Sequence, residues 1–263
     1  MNLNNLAQEV LPIARKAGEA ILEIYNAGAD MQIEHKADES PLTIADKKSN
    51  EVICKGLEKF SQQFPIISEE NKIVDYDTRK NYDYYWLIDP LDGTKEFIKR
   101  NGEFTVNIAL VHQHEVILGV VYTPCLDEMY WGVKGGGAWL LTATEKTKLS
   151  STTFKMTDEN LRVVCSRSHQ NEATKAFVGN LENPELVAKG SALKFLILAK
   201  GGAELYPRLA PTMEWDTAAA QIILEEAGGS VIDENTGLPM RYNKENLLNS
   251  FFVAYGGVEG RRG

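Results

Sequence analysis

The stretch Trp86-Leu87-Ile88-Asp89-Pro90-Leu91-Asp92-Gly93-Thr94 decides more about this chain than any other segment. An apolar run ends at two aspartates, and the proline and glycine between and after them force the chain to turn. The turn lets the two carboxylates converge, and converging carboxylates repel each other unless a cation lies between them. Hard oxygen ligands of this kind suit Mg²⁺. The same residues also fit an ordinary Asx-type turn at a strand end, so both interpretations stay open at this point.

Two more acidic sites favour the metal-binding interpretation. Glu69 follows the apolar run Ile66-Ile67-Ser68, and Asp216 lies in Glu214-Trp215-Asp216-Thr217, where another apolar element begins. Three separate sources of carboxylate can surround two metal ions.

Outside these sites, the first half of the chain is predicted to form two helices and then a sheet. Apolar residues recur at helical spacing from Leu6 to Ile24, Gly28 can end that helix, and Thr43 can cap a second one. Three apolar runs at hairpin spacing then predict an antiparallel meander: Phe104–Val111, Val116–Tyr122 and Met129–Val133. Gly135-Gly136-Gly137 is predicted to be a turn rather than a phosphate cradle, because no helix with a P-loop lysine follows it.

The second half alternates between strands and helices, which indicates α/β layering. The predicted strands are Arg162–Cys165, Ala203–Tyr206 and Ser230–Ile232, and the predicted helices are Glu172–Val178, Leu193–Leu198 and Ala218–Ala227. The polar segment Thr142–Ser151 is the predicted boundary, so we expect halves 1–145 and 146–263 that share one site.

Composition excludes several classes of protein. The 263 residues are 43% hydrophobic and 25% charged, which is typical of a folded chain. The net charge of −9 offers no basic surface to a nucleic-acid polymer. No apolar run approaches the roughly 18 residues of a membrane span, and the N-terminus lacks a signal-peptide pattern, so we expect a cytoplasmic protein. Cys54, Cys125 and Cys165 are widely spaced and are expected to be free thiols.

Taken together, the motifs resemble the inositol monophosphatase superfamily of metal-dependent, lithium-sensitive phosphatases, over nearly the whole chain. Four elements carry the resemblance: Ser40-Pro41-Leu42-Thr43-Ile44-Ala45-Asp46, Glu69, Asp89-Pro90-Leu91-Asp92-Gly93-Thr94 and Trp215-Asp216. The resemblance implies a mixed α+β / α/β fold, a layered α-β-α-β-α sandwich with the meander between helix layers.

Within the superfamily, the chain resembles the CysQ-type 3′(2′),5′-bisphosphate nucleotidases. The resemblance lies in Lys95-Glu96-Phe97, in the segment 190–195 and in the segment 206–216. It implies an Mg²⁺-dependent phosphatase that converts adenosine 3′,5′-bisphosphate to AMP and phosphate, and that also accepts the phosphosulfated analogue, in sulfur assimilation and nucleotide recycling. The alternatives are an inositol monophosphatase or other sugar-phosphate phosphatase, and a catalytically silent nucleotide- or partner-binding protein. The silent alternative is disfavoured because every acid of the motifs and Thr94 are present.

The resemblance also implies roles for the acidic residues. One Mg²⁺ would be held by Glu69, Asp89 and the Leu91 carbonyl, a second by Asp89, Asp92 and Asp216, and a third, weaker ion would lie near Glu69. Thr94 and Asp46 would orient and deprotonate the attacking water, with Glu69 assisting. Without the resemblance, Thr43 and Asp46 could simply cap the second helix.

Substrate contacts are implied in the same way. The backbone N–H groups of Gly93 and Thr94 would bind the departing phosphate. The metal-site residues Glu69, Leu91, Asp92 and Asp216 would also contact the substrate. Ser191, Lys194 and Arg208 would bind the nucleotide end, with Ser166 and His169 as weaker candidates, because a retained 5′-phosphate needs a cation. The alternative is that Lys194 and Arg208 are surface cations. A monomer or homodimer is expected, and the resemblance allows peripheral association with the inner membrane.

Overall fold

The computed structural model describes residues 1–27, 34–35, 41–165, 171–188, 191 and 193–260. The helices are α1 (Leu3–Ala27), α2 (Ile44–Leu57), α3 (Tyr76–Arg79), α4 (Thr94–Ile98), α5 (Glu172–Gly179), α6 (Leu193–Ala199) and α7 (Glu214–Glu226). The strands are β1 (Glu34–His35), β2 (Pro41–Leu42), β3 (Ile66–Ser68), β4 (Tyr84–Asp92), β5 (Thr105–His112), β6 (Glu115–Thr123), β7 (Glu128–Val133), β8 (Gly137–Leu141), β9 (Lys146–Lys148), β10 (Thr153–Phe154), β11 (Arg162–Cys165), β12 (Glu185–Ala188), β13 (Leu205–Arg208), β14 (Ser230–Asp233), β15 (Phe252–Tyr255) and β16 (Gly257–Val258).

A seven-stranded sheet with strand order β3 to β9 organises the first half of the chain. Strands β4 to β9 pair antiparallel with their neighbours in sequence, which confirms the predicted meander, and β3 joins the edge of β4 in parallel. The parallel register places Ser68 beside Ile88, so the residues that follow them, Glu69 and Asp89, lie toward the same end of the sheet.

A five-stranded sheet with strand order β12-β11-β13-β15-β14 organises the second half. β11 runs parallel to β12 and β13, whereas β15 runs antiparallel to both β13 and β14. This mixed sheet agrees with the α/β layering predicted from the sequence.

The helices form three layers around the two sheets. α1 and α2 cover one face of the first sheet with a core that includes Ile21, Ile53 and Ile88. α6 and α7 fill the space between the two sheets, and α5 packs on the outer face of β13. The result is the α-β-α-β-α sandwich expected from the resemblance.

Close contact between α7 and the first sheet depends on glycine. A Cβ atom added at Gly119 of β6 would lie 2.3 Å from the Ala219 carbonyl oxygen, and one at Gly132 of β7 would lie 2.8 Å from the Ile223 Cα. Both distances are too short for a side chain, so these glycines fix how deeply α7 settles onto the sheet.

Several element bounds differ from the prediction. α7 begins at Glu214 rather than Ala218, because its polar first turn is held by a side-chain cap that the apolar pattern does not reveal. β13 is shifted to Leu205–Arg208, and strands such as β9, β12 and β15 were not predicted. The turn at Gly135 and Gly136 is confirmed: the N–H groups of Gly135 and Gly137 both donate to the Glu226 carboxylate at 2.8 Å. The predicted end of α1 at Gly28 lies outside the described residues.

Two further expectations concern the chain as a whole. The division into 1–145 and 146–263 stays a prediction, and the first sheet continues through β9 at Lys146–Lys148. None of the helices in the described ranges combines the length and the apolar character that crossing a membrane requires.

Candidate active site

The loop that follows β4 is held in a conformation that only glycine adopts easily. Gly93 has a φ of 93°, and α4 begins directly after it. A Cβ atom there would lie 2.9 Å from the Glu103 carbonyl oxygen and 3.3 Å from the Ser191 Cβ. From the other side, the Ser49 hydroxyl of α2 donates to the Pro90 carbonyl at 2.7 Å. The loop is therefore clamped between α2 and the Ser191 segment.

Three carboxylates converge at the end of β4. Glu69, Asp89 and Asp216 each offer an oxygen atom, and these atoms lie within 4.8 Å of one another. The Asp89 side chain is 2% exposed, and its Oδ1 accepts the Leu91 N–H at 3.0 Å. Burial, followed by repulsion from Glu69, Asp92, Asp216 and Asp46, raises the pKa of Asp89 well above its ordinary value. Such a crowded acidic group fits a divalent cation, which would offset this repulsion.

The first turn of α7 holds Asp216 in this cluster. Its Oδ2 accepts the backbone N–H of Met213 at 2.8 Å, so the carboxylate caps the helix and also reaches the other acids. Burial and the nearby Asp92 raise the pKa of Asp216 to about 8, and Arg208 opposes the shift. The predicted proximity of Asp89 and Asp216 is thus present in the structure.

Asp92 and Leu91 lie beside the cluster with different partners. The Ser191 hydroxyl donates to Asp92 Oδ2 at 2.6 Å and approaches the Asp92 carbonyl at 3.2 Å. The Leu91 carbonyl accepts the Thr94 hydroxyl at 3.3 Å. Repulsion by Asp92 contributes to the raised pKa of both Asp89 and Asp216.

Thr94 also contacts Asp46. Its hydroxyl lies 3.2 Å from Asp46 Oδ1, while Asp46 Oδ2 accepts the Thr43 N–H at 2.8 Å and the Thr43 hydroxyl at 2.6 Å. Burial raises the pKa of Asp46, and the hydrogen bonds from Thr43 and Thr94 oppose that shift. Asp46 therefore caps α2 and touches the loop threonine with the same carboxylate.

The predicted nucleotide-end residues lie on the neighbouring elements α6 and β13. Lys194 is only 8% exposed, its Nζ donates to the Ser191 carbonyl at 3.1 Å, and it lies 5.4 Å from the centre of the Tyr206 ring. Arg208 donates through Nη2 to the Pro211 carbonyl at 3.0 Å, while its buried Nε has no hydrogen-bond partner among the described residues. Lys194 is therefore buried, whereas Arg208 is half-buried and its hydrogen bond to Pro211 is exposed. Ser166 and His169 lie outside the described residues, as do Ser40, Gly190 and Ala192 of the matched motifs.

Two buried polar residues beside the site were not predicted. Thr105 and Asn107 lie on β5, are 0% and 1% exposed, and pair across the sheet with Asp92 and Asp89 respectively. The signal in the sequence is two polar residues at alternate positions of an otherwise apolar strand, facing the two aspartates.

Comparison with known proteins identifies the family. Residues 2–254 match the inositol monophosphatase family. The chain belongs to this family. It is 40% identical to the 3′(2′),5′-bisphosphate nucleotidase CysQ of Salmonella typhimurium over 94% of this chain and 98% of that protein. It is 41% identical to the protein of the same name from Escherichia coli K12, with the same coverage of 94% and 98%.

Solved structures agree with this family assignment. The structure of CysQ from Bacteroides thetaiotaomicron matches with a TM-score of 0.84 and 41% identity over 97% of this chain and 98% of that one. The inositol monophosphatase from Anabaena matches with a TM-score of 0.72 and 25% identity over 97% of this chain and 92% of that one. The family fold expected from the sequence is thereby confirmed.

Proposed function

We propose that this protein is a 3′(2′),5′-bisphosphate nucleotidase that removes the 3′-phosphate of adenosine 3′,5′-bisphosphate to give AMP and phosphate. The observation that carries the proposal is the convergence of Glu69, Asp89 and Asp216 beside the Asp92-Gly93-Thr94 loop. It occurs in a chain that is about 40% identical, over nearly its whole length, to proteins named for this activity. A phosphatase of this class needs oxygen ligands for metal and a group that activates water, and the site offers both.

The proposed metal is Mg²⁺, in two sites with a third, weaker ion near Glu69. Glu69, Asp89 and the Leu91 carbonyl would hold the first ion, and Asp89, Asp92 and Asp216 the second. When bound, such ions lower the pKa of the attacking water and stabilise charge on the leaving oxygen.

Thr94 and Asp46 would handle the proton of the attacking water. A threonine hydroxyl is a poor base on its own, but the Thr94 hydroxyl donates a hydrogen bond to the Asp46 carboxylate at 3.2 Å, so Asp46 would take up its proton. The Thr94 oxygen is then oriented to accept a proton from water. The backbone N–H groups of Gly93 and Thr94, at the turn into α4, would bind the phosphate that leaves.

Ser191, Lys194 and Arg208 would hold the nucleotide end of the substrate. The unpartnered Nε of Arg208 and the cation of Lys194 supply donors and charge for the retained 5′-phosphate. The phosphosulfated analogue carries the same 3′-phosphate, so we include it as a substrate, with a cytoplasmic role in sulfur assimilation and nucleotide recycling. The assembly is proposed as a monomer or homodimer. Peripheral membrane association finds no support in the relatives.

The test is a comparison of substrates with and without metal. We expect kcat/KM for adenosine 3′,5′-bisphosphate to exceed that for inositol 1-phosphate in the presence of Mg²⁺, and both activities to vanish with a chelator. An Asp89→Asn variant serves as the inactive control for contaminating phosphatase. A preference for inositol 1-phosphate would replace the proposed specificity, and absence of turnover on both substrates would refute the enzyme assignment.

A further inference from the structure

Each aspartate of the β4 loop has a buried polar partner directly across the sheet. Asp89 pairs with Asn107 and Asp92 pairs with Thr105, on either side of an irregularity in the register of β4 and β5. Along β5, Val106 and Ile108 face α1 and α2, whereas Ala109 and Val111 face α6 and α7. Because strand side chains alternate, Thr105 and Asn107 belong to the second face. A polar pair in that position needs hydrogen-bonding partners.

Those partners form a chain of hydrogen bonds that ends at Asp92. The Ser191 hydroxyl donates to Asp92 Oδ2 at 2.6 Å, the Ser191 and Thr105 hydroxyls are 3.1 Å apart, and Thr105 Oγ1 lies 2.9 Å from the side-chain oxygen of Asn107. Ser191 has a φ of 53°, a conformation that a serine rarely adopts and that the surrounding contacts must maintain.

The number of available protons fixes the direction of these hydrogen bonds. Each hydroxyl has one proton, and the Ser191 hydroxyl donates its proton to Asp92 Oδ2 in the shortest contact of the three. Thr105 then has to donate to Ser191, so Asn107 has to donate to Thr105 through its amide nitrogen. With the amide oxygen toward Thr105 instead, the buried Nδ2 has no partner within the described ranges and no proton remains for the Ser191–Thr105 contact. A half turn of the amide about its last torsion turns the nitrogen toward Thr105, so that both contacts have a proton and only a buried acceptor stays unpaired.

We propose that Thr105 and Asn107 are positioning residues of the metal site, which act through a one-directional hydrogen-bond chain from Asn107 through Thr105 and Ser191 to Asp92. The chain fixes the orientation of the Asp92 carboxylate before a cation binds. It also ties this carboxylate to the segment that leads into α6 and Lys194, so metal binding and nucleotide binding share one support. The inference rests on the proposed function as far as the substrate is concerned. The binding of Mg²⁺ alone can be measured without it.

The deciding variant is Thr105→Val, which keeps the shape of the side chain and removes its hydroxyl. We expect the dissociation constant for Mg²⁺ alone, measured by calorimetry, to rise about tenfold or more, as is typical when a partner that orients a metal ligand is lost. Thr105→Ser should restore binding to within about twofold of the wild type. Thr152→Val is the matched control: this threonine is half-buried and its hydroxyl donates to the Gly201 carbonyl at 2.9 Å, among residues that the site does not use. It should lower the melting temperature comparably and leave the Mg²⁺ dissociation constant unchanged.

A second variant keeps the test decisive if Thr105→Val folds poorly. Asn107→Leu removes the first donor of the chain, and we expect a smaller rise in the Mg²⁺ dissociation constant. The double variant should bind Mg²⁺ no worse than Thr105→Val alone, because both residues act through one chain. Normal Mg²⁺ binding by either single variant, or losses that multiply in the double variant, would overturn the inference.

The two proposals fail in different ways. If the wild type binds Mg²⁺ but does not hydrolyse adenosine 3′,5′-bisphosphate, the proposed function is refuted and the proposed hydrogen-bond chain is not. If the wild type is active and the Thr105→Val variant binds Mg²⁺ normally with unchanged kcat and KM, the proposed hydrogen-bond chain is refuted and the proposed function is not.

Discussion

The Thr94 hydroxyl donates to Asp46 Oδ1 at 3.2 Å, while Oδ2 of the same carboxylate accepts the N–H and the hydroxyl of Thr43. One side chain thus holds the first turn of α2 and reaches the loop that ends β4. Capping and proton acceptance, which the sequence presents as alternatives for Asp46, are compatible because they use different oxygen atoms. The helix cap fixes the carboxylate in the position from which it contacts Thr94.

If Thr94 and Asp46 act as one unit, their effects on catalysis will not add. We expect Thr94→Ala and Asp46→Ala each to lower kcat by a similar large factor, and the double variant to lose little more. Melting temperatures distinguish the two roles of Asp46: Asp46→Ala should also lose about 1 kcal/mol of stability with its cap, whereas Thr94→Ala should not. Multiplying losses in kcat would show that the two residues act separately.

Asp92 should be essential for turnover but not for folding. Asp92→Asn removes a carboxylate from the second proposed Mg²⁺ site, so we expect less than a tenth of the wild-type kcat with a nearly unchanged melting temperature. Glu70→Gln is the matched control, since Glu70 is the acidic neighbour of Glu69 that we leave outside the site. Retention of more than a tenth of the activity by Asp92→Asn would exclude Asp92 from the proposed role.

The sequence predicts the acidic residues of the site because they lie in short segments with their own local signals. Asp89, Asp92 and Gly93 form a strand end and turn, and Asp216 stands at the start of an apolar helix pattern. Their convergence, however, depends on the parallel register of β3 with β4 and on how deeply α7 settles onto Gly119 and Gly132. These are tertiary contacts that no local pattern contains.

Thr105 and Asn107 show the limit of pattern analysis most clearly. In a strand with one solvent-exposed face, alternating polar residues indicate the face that lies against solvent. Here both faces of β5 are covered by helices, so the same alternation marks a buried polar pair beside the site. Lys194 is similar: its charge suggests the surface, but it lies buried against Tyr206 and the Ser191 carbonyl.

Gly93 should be sensitive to the addition of a single methyl group. Gly93→Ala forces alanine into a left-handed conformation and brings its Cβ to 2.9 Å from the Glu103 carbonyl oxygen, so the loop has to move. Gly135→Ala imposes a similar left-handed conformation, with a φ of 72°, where a Cβ meets no atom of the described residues within 4 Å. We expect both variants to lose about 1–2 kcal/mol through strain, and only Gly93→Ala to lose most of its kcat. Equal activity in the two variants would contradict a demand for close packing at Gly93.

Glu225, at the end of α7, should make stability depend on pH. Burial raises its pKa to about 7, Glu226 and Glu115 add to the shift, and Gln221 and Lys134 oppose it. In the unfolded chain a glutamate loses its proton at about pH 4.3. Between these values the folded state retains a proton that the unfolded state has lost, so this group's contribution to the free energy of unfolding falls as the pH rises.

Glu225→Gln removes that dependence, because its amide oxygen can still accept the bond that Gln221 donates at 2.9 Å. We expect the variant to melt at a higher temperature than the wild type at pH 8, by a few degrees, and at nearly the same temperature at pH 5. Thermal melts at both pH values measure this difference. A constant difference between the two proteins at pH 5 and pH 8 would show that Glu225 is not the titrating group.

The most informative prediction about substrate choice concerns Lys194 and Arg208. With a net charge of −9 and an acidic cluster at its centre, the metal-free site should repel a bisphosphate, so one phosphate needs metal and the other needs cations. Lys194→Met and Arg208→Met keep the length of the side chains and remove their charges. We expect each to lower kcat/KM for adenosine 3′,5′-bisphosphate much more than for inositol 1-phosphate, which has no second phosphate to hold.

Lys175→Met is the control for loss of a cation, because Lys175 lies on the surface of α5 with 57% of its side chain exposed. It should leave kcat/KM for both substrates near the wild-type values. Equal losses on the two substrates in the Lys194 and Arg208 variants would place these residues outside the nucleotide site, because removing a contact to the 5′-phosphate cannot affect a substrate that lacks one. Selective loss in only one variant would assign the second phosphate to that residue alone.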